Sequence, residues 1–112
     1  MTMTFDELPE FSKEFAKLAK KYRSLPNDLE EFKKVLTVRP LGAGRHFNVI
    51  TRTETAVVVK ARLFCKYLKG SSLRIVYARH ETILRFMFIE IYFKGSKGNE
   101  DRERIKIYLR GH

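Results

Sequence analysis

The 112-residue chain has one cysteine, three prolines, six glycines, three histidines and no tryptophan. A single thiol, Cys65, cannot close an internal disulfide. One Cys with His46, His80 and His112 scattered along the chain offers no local zinc-ligand spacing, so no metal and no other cofactor is expected. Gly42 and Gly44 in LGAGR lack the Lys-Ser/Thr of a phosphate-cradling loop, which argues against nucleotide hydrolysis. The scarcity of Pro and Gly excludes a fibrous chain. No apolar run approaches a membrane span, and none at the N-terminus reads as a signal peptide. The expected location is therefore the cytoplasm, with no membrane partner.

What is present is enough apolar sequence for one core: 44% hydrophobic residues beside 32% charged ones. At this length the expectation is one domain over residues 1–112. Lys and Arg number 23 against 13 Asp and Glu, a net charge of +10. Such an excess suits a polyanionic partner, with nucleic acid foremost. It is concentrated in residues 57–112, which carry a net +8 against +2 for residues 1–56.

Hydrophobic spacing predicts a first helix from Pro9 to Tyr22, with Phe11, Phe15, Leu18 and Tyr22 on one face. A second runs through Val38 after Pro26 and Asn27, on Leu25, Leu29, Phe32 and Leu36. Their short connection predicts an antiparallel hairpin whose stripes are core. Residues 37–46 read as a loop. The period then changes to strands over Phe47–Thr51, Ala56–Leu68, Leu73–Arg79 and Ile83–Lys94, joined by short polar turns. A last helix is predicted over Glu100–Arg110, with Asn99 as N-cap. The fold class is thus α+β: an N-terminal helical hairpin on a twisted, mostly antiparallel four-stranded sheet, with a C-terminal helix.

Strand alternation sorts these residues into two faces. Val57, Val59, Ala61, Leu63, Cys65, Leu73, Ile75, Tyr77, Ile89, Ile91 and Phe93 form an apolar face for the helices. The other gathers Lys60, Arg62, Lys66, Arg74, Glu90, Tyr92 and Lys94. Like charges on neighbouring strands repel, so such a face costs stability unless it receives an anion. Arginine forks suit phosphate oxygens, and a Tyr or Lys whose pKa is lowered by nearby cations can move protons. These groups fit RNA cleavage in which the 2′-hydroxyl attacks its own phosphate, with no histidine required.

KARLFCKYLKGSS (60–72), LRIVYA (73–78) and FIEIYFKGSKGNEDRERIKIYL (88–109) resemble the RelE/ParE toxin superfamily, including RelE-like and HigB-like messenger RNA interferases. The resemblance rests on Lys60-Ala-Arg62, Arg74-Ile-Val-Tyr77 and Ile89-Glu-Ile-Tyr92-Phe-Lys94, in that order on successive strands, and on the opening ELPEFSKEFAKLAKKYRSL. It is thinnest over residues 37–56. It implies the toxin of a type II toxin–antitoxin system, a ribosome-dependent endoribonuclease cutting messenger RNA in the ribosomal A site to leave a cyclic phosphate. It further implies contact with ribosomal RNA and a cognate antitoxin that covers the basic face.

By the same resemblance, Arg74 and Arg62 stabilise the phosphate, Tyr92 stacks on a base or passes a proton, and Lys94 adds a cation. Lys60, Lys66, Arg79 and Lys97 are the remaining nucleic-acid-binding candidates, and Glu90 is a counter-ion to Arg74 or Arg62. Two departures stand out: Leu73 occupies a position that is often Gly, and no His stands beside Tyr92. The superfamily also includes ParE-type inhibitors of DNA gyrase, and an inactive binding protein could share the fold. Cys65 is expected buried and inert, Tyr77 packed, His80 exposed in a turn, and Arg102, Arg104 and Lys106 on the outer side of the last helix.

Overall fold

The computed structural model describes residues 3–42 and 44–111. Ala43 of the predicted loop and His112 lie outside the described residues. In chain order the elements are β1 (Thr4–Glu7), α1 (Pro9–Lys21), α2 (Leu25–Val38), a single 3-10 turn (Gly44–His46), β2 (Phe47–Arg52), β3 (Ala56–Cys65), β4 (Gly70–His80), β5 (Arg85–Phe93) and α3 (Arg102–Arg110). They build a five-stranded mixed sheet ordered β1-β5-β4-β3-β2.

The sheet is mostly antiparallel, as expected, but its strand count corrects the expected four. The additional strand, β1, runs parallel to β5 with Phe5 opposite Phe86. Phe5 stacks on Phe86 and Phe88 at centroid distances of 5.0 and 6.0 Å. A four-residue strand is held by such tertiary stacking, which a scan of periodicity over 4–8 residues does not register. The two N-terminal helices form as predicted, but each rests on the sheet more than on its neighbour, α1 over β5 and α2 over β3.

The larger core lies between these helices and the sheet. Phe11, Leu25, Leu29, Phe32 and Leu36 pack there against Val57, Val59, Leu63, Leu73, Ile75, Tyr77 and Phe88. Tyr77 is fully buried, as its parity predicts, and donates a hydrogen bond to the Pro40 carbonyl at 3.0 Å. Cys65 is likewise buried.

The opposite face is divided. At one end α3 lays Ile105 and Tyr108 over Val58, Val76, Ala78, Met87 and Ile89, forming a second core. Ile89 thus leaves the apolar face to which alternation assigned it. A bulge explains this: Val76 opposes Glu90 while Tyr77 already opposes Phe88, so one extra residue of β5 is accommodated and the side-chain order changes. His80 is buried too, bonded through Nε2 to the Tyr108 hydroxyl, because α3 roofs the end of β4 that looked like a turn.

The last helix starts two residues later than predicted. Its N-cap is Asp101, whose Oδ1 accepts the Arg104 amide at 3.0 Å, in place of Asn99. Arg104 does not project outward: its fork meets both oxygens of Glu14 on α1 at 2.9 and 2.8 Å and caps the Ile89 carbonyl. α3 is thereby fixed over one end of the sheet, leaving the other end open.

Candidate nucleic-acid interface

The open end is where the predicted cations converge. Arg62 on β3 lies directly opposite Arg74 on β4, and Arg74 directly opposite Tyr92 on β5. Directly opposed residues share a face. Lys60, Arg62, Arg74 and Lys94 line one cavity of about 200 Å³, joined by His46, Asn48 and Ala61. Four of the eight candidate site residues therefore meet in one place.

Three of these cations are held by the protein itself. Lys60 Nζ binds Glu100 at 2.8 Å. Arg74 donates to the Ser71 carbonyl at 2.6 Å, and Lys94 donates to the Gly98 carbonyl. Among the described residues nothing engages the side chains of Arg62, His46 or Asn48 by hydrogen bond or ion pair. Burial alone would raise the Glu100 pKa. The Lys60 hydrogen bond, a backbone hydrogen bond and the charges of Lys60 and Arg102 overcome that and hold the carboxyl at about 2.

Tyr92 shares the face but not the opening. It is 5% exposed, with its hydroxyl buried and without a hydrogen-bond partner among the described residues. Burial raises its pKa, the charges of Glu100 and Glu90 add to that, and Arg74 opposes them. The sequence suggested a tyrosine made more acidic by cations; the two carboxylates beneath α3 and the loss of solvent reverse the sign.

Glu90 is fully buried and pairs with neither Arg62 nor Arg74. Its Oε1 accepts the Asp101 amide at 2.7 Å and its Oε2 holds Lys97 Nζ. The Glu90 carboxylate anchors the start of α3, and the exposed Lys97 lies across the Tyr92 ring, its Nζ 5.5 Å from the centroid. Lys97 therefore does not join the cavity.

Lys66 stands at the turn beyond β3. That turn is clamped to the start of α2: Asp28 accepts the Lys66 amide at 3.2 Å, and Ser24 Oγ accepts the Tyr67 amide at 2.8 Å. Lys66 lines a second hollow of about 560 Å³ between α2 and the end of β3, whose walls include Phe32, Phe47 and Phe64. Arg62 and His46 line both hollows. Arg79 is placed elsewhere altogether. It has the parity of Tyr77, so it lies on the helix-covered face, opposite Phe86 and 5.4 Å above that ring.

His46 and Asn48 are the site residues that sequence reasoning passed over. Asn48 faces Lys60 across β2 and β3, and His46 sits two residues earlier, in the 3-10 turn. The alternation of His46 and Asn48 about Phe47 was a legible signal. Gly42, at φ +71°, helps set this turn: a Cβ there would lie 2.0 Å from the Phe47 ring.

No protein-family model matches the sequence, and no curated protein does. Among solved structures, the archaeal RelE–RelB complex from Pyrococcus horikoshii OT3 is similar to this chain. The match has a TM-score of 0.64 at 17% identity and covers 85% of this chain and 98% of that one. The chain has the RelE fold. In that fold the basic cavity lies on the sheet face opposite α1 and α2, at the end that α3 leaves uncovered. No described helix is long and apolar enough to cross a membrane.

Proposed function

We propose that this RelE-fold protein is the toxin of a type II toxin–antitoxin pair and inhibits translation by cutting messenger RNA in the ribosomal A site. The observation that carries this reading is the convergence of Lys60, Arg62, Arg74 and Lys94 on one open cavity. Four cations around a pocket of this size suit a phosphodiester, and ribosomal RNA is the wider polyanion that a net +10 surface would meet.

Arg62 and Arg74 donate to the non-bridging oxygens of the scissile phosphate, where negative charge grows as the 2′-oxygen attacks. Lys60 and Lys94 bind the flanking phosphates once released from Glu100 and the Gly98 carbonyl. Lys66 extends the strand's path toward the wider hollow. The product is a 2′,3′-cyclic phosphate and a free 5′-hydroxyl. No metal or other cofactor takes part in this scheme.

The archaeal RelE of the solved complex is bound to RelB. An antitoxin of similar role is the proposed protein partner here, its acidic groups meeting the same basic cavity. The pair acts in the cytoplasm, where translating ribosomes are, and residues 1–112 act as one unit.

The test is a cell-free translation reaction given purified protein, with new 5′ ends mapped on the translated message. Codon-spaced cuts that disappear with the Arg62→Ala/Arg74→Ala double variant support the reading. Intact message with unimpaired translation overturns it.

A further inference from the structure

Cleavage by internal transfer needs a group that takes the 2′-hydroxyl proton. Such a group must reach the substrate, and it works best when its pKa lies near the working pH. Tyr92 meets neither condition: its hydroxyl is buried and its pKa is raised by burial. Glu90 is fully buried and already holds Lys97 and the Asp101 amide. Glu100 is buried and held by Lys60 and Arg102. Lysine and arginine are ordinarily protonated at neutral pH.

One titratable side chain of the cavity remains. His46 is exposed, lines the cavity with Arg62 and Arg74, and has no partner among the described residues. Imidazole is the side chain that ordinarily changes charge between pH 5 and 8. Resting on the RNA-cleavage reading above, we infer that His46 is the general base of this site, delivered from the 3-10 turn before β2.

The step balances without a further reagent. A ring nitrogen of neutral His46 takes the 2′-hydroxyl proton as that oxygen bonds to phosphorus. The bond from phosphorus to the 5′-oxygen breaks, and the leaving oxygen takes a proton from water. His46 returns its proton to solvent, so none is consumed. Across the cavity His46 faces Lys60, Arg62, Arg74 and Lys94. Across the wider hollow it faces Asp28, Glu31 and Lys66. Asp28 is committed to Ser24 and the Lys66 amide, and Glu31 to Lys34, so neither carboxylate is directed at the ring.

The test uses full-length His46→Gln and His46→Ala on ribosomes programmed with a short message, beside the wild-type protein. Binding is measured separately on the same message with a 2′-deoxy nucleotide at the cut. For both variants kcat should fall about a hundredfold or more while KM and binding to the deoxy message stay unchanged. The acid limb of the wild-type pH profile should flatten, and added imidazole should partly restore His46→Ala. Cutting by His46→Gln within about threefold of wild type overturns the inference, as does a loss confined to KM with an unaltered pH profile. If the wild-type protein itself leaves the message intact, the RNA-cleavage reading falls and the assignment of His46 with it.

Discussion

Arg62 and Arg74 are directly opposed across β3 and β4, so two guanidinium groups share one face of the sheet with no carboxylate among the described residues bound to either. Like charges placed this way destabilise a sheet. The arrangement is a cost to folding that an incoming phosphate would relieve. Arg62→Gln should therefore raise the urea or thermal midpoint slightly while lowering message cleavage by about 10²–10³-fold, the usual effect of losing one charge-stabilising donor. A variant less stable than wild type would contradict the repulsion argument, whatever its activity.

Glu100 gives a pH dependence of defined sign. Its carboxyl is held at about 2 against an ordinary 4.5, so the folded state favours the ionised form. That stabilisation is complete above pH 4.5 and is lost as the pH falls from there toward 2. The shift corresponds to a stabilisation on the order of 3 kcal/mol. Glu100→Gln should be less stable than wild type at pH 7 and nearly equal to it at pH 2, as read from urea midpoints across that range. It also frees Lys60, so binding to a non-cleavable RNA should tighten.

Much of this was legible beforehand. Phe11, Leu29, Phe32 and Leu36 marked the helix faces, and the alternation of Lys60 and Arg62 with Val59, Ala61 and Leu63 put the cations on one side. The missing parts have physical causes. β1 depends on Phe5 meeting the distant Phe86, and the Ile89 bulge shifts parity without a Gly or Pro to announce it. His80 looked like a turn residue because nothing local indicates that Tyr108 comes to cover it. Arg79 had the parity of Tyr77 all along, and applying alternation to it would have set it apart from Arg74.

Glu90 separates a structural carboxylate from a chemical one. Because it is buried and binds both the Asp101 amide and Lys97, removing it strands the amide, while the exposed Lys97 turns to solvent. Glu90→Ala should cost about 1–3 kcal/mol, the penalty of an unpaired buried amide, and loosen α3 so that the amides of residues 102–110 exchange faster. Glu90→Gln keeps an acceptor for the Asp101 amide and should destabilise less. If the carboxylate only anchors α3, Glu90→Gln should cut message within about tenfold of wild type. A loss of a thousandfold or more with normal stability would instead make it the base.

The Tyr92 hydroxyl offers the opposite case, a polar atom whose removal leaves nothing unpaired. It is buried with no partner among the described residues, and its ring lies beneath Lys97. An unsatisfied buried group carries a desolvation penalty of roughly 1–3 kcal/mol. Tyr92→Phe deletes that group and preserves the ring, so the variant should be at least as stable as wild type and more stable by up to about that amount. If the ring only packs beneath Lys97 and beside Arg74, cleavage should remain close to wild type and the pH profile should keep its shape. Tyr92→Ala removes the ring and should cost about 3–5 kcal/mol, as large aromatic truncations do. Loss of cutting in Tyr92→Phe with undiminished stability would show that the hydroxyl is exposed to substrate when RNA binds, and would return the tyrosine to the chemistry in place of His46.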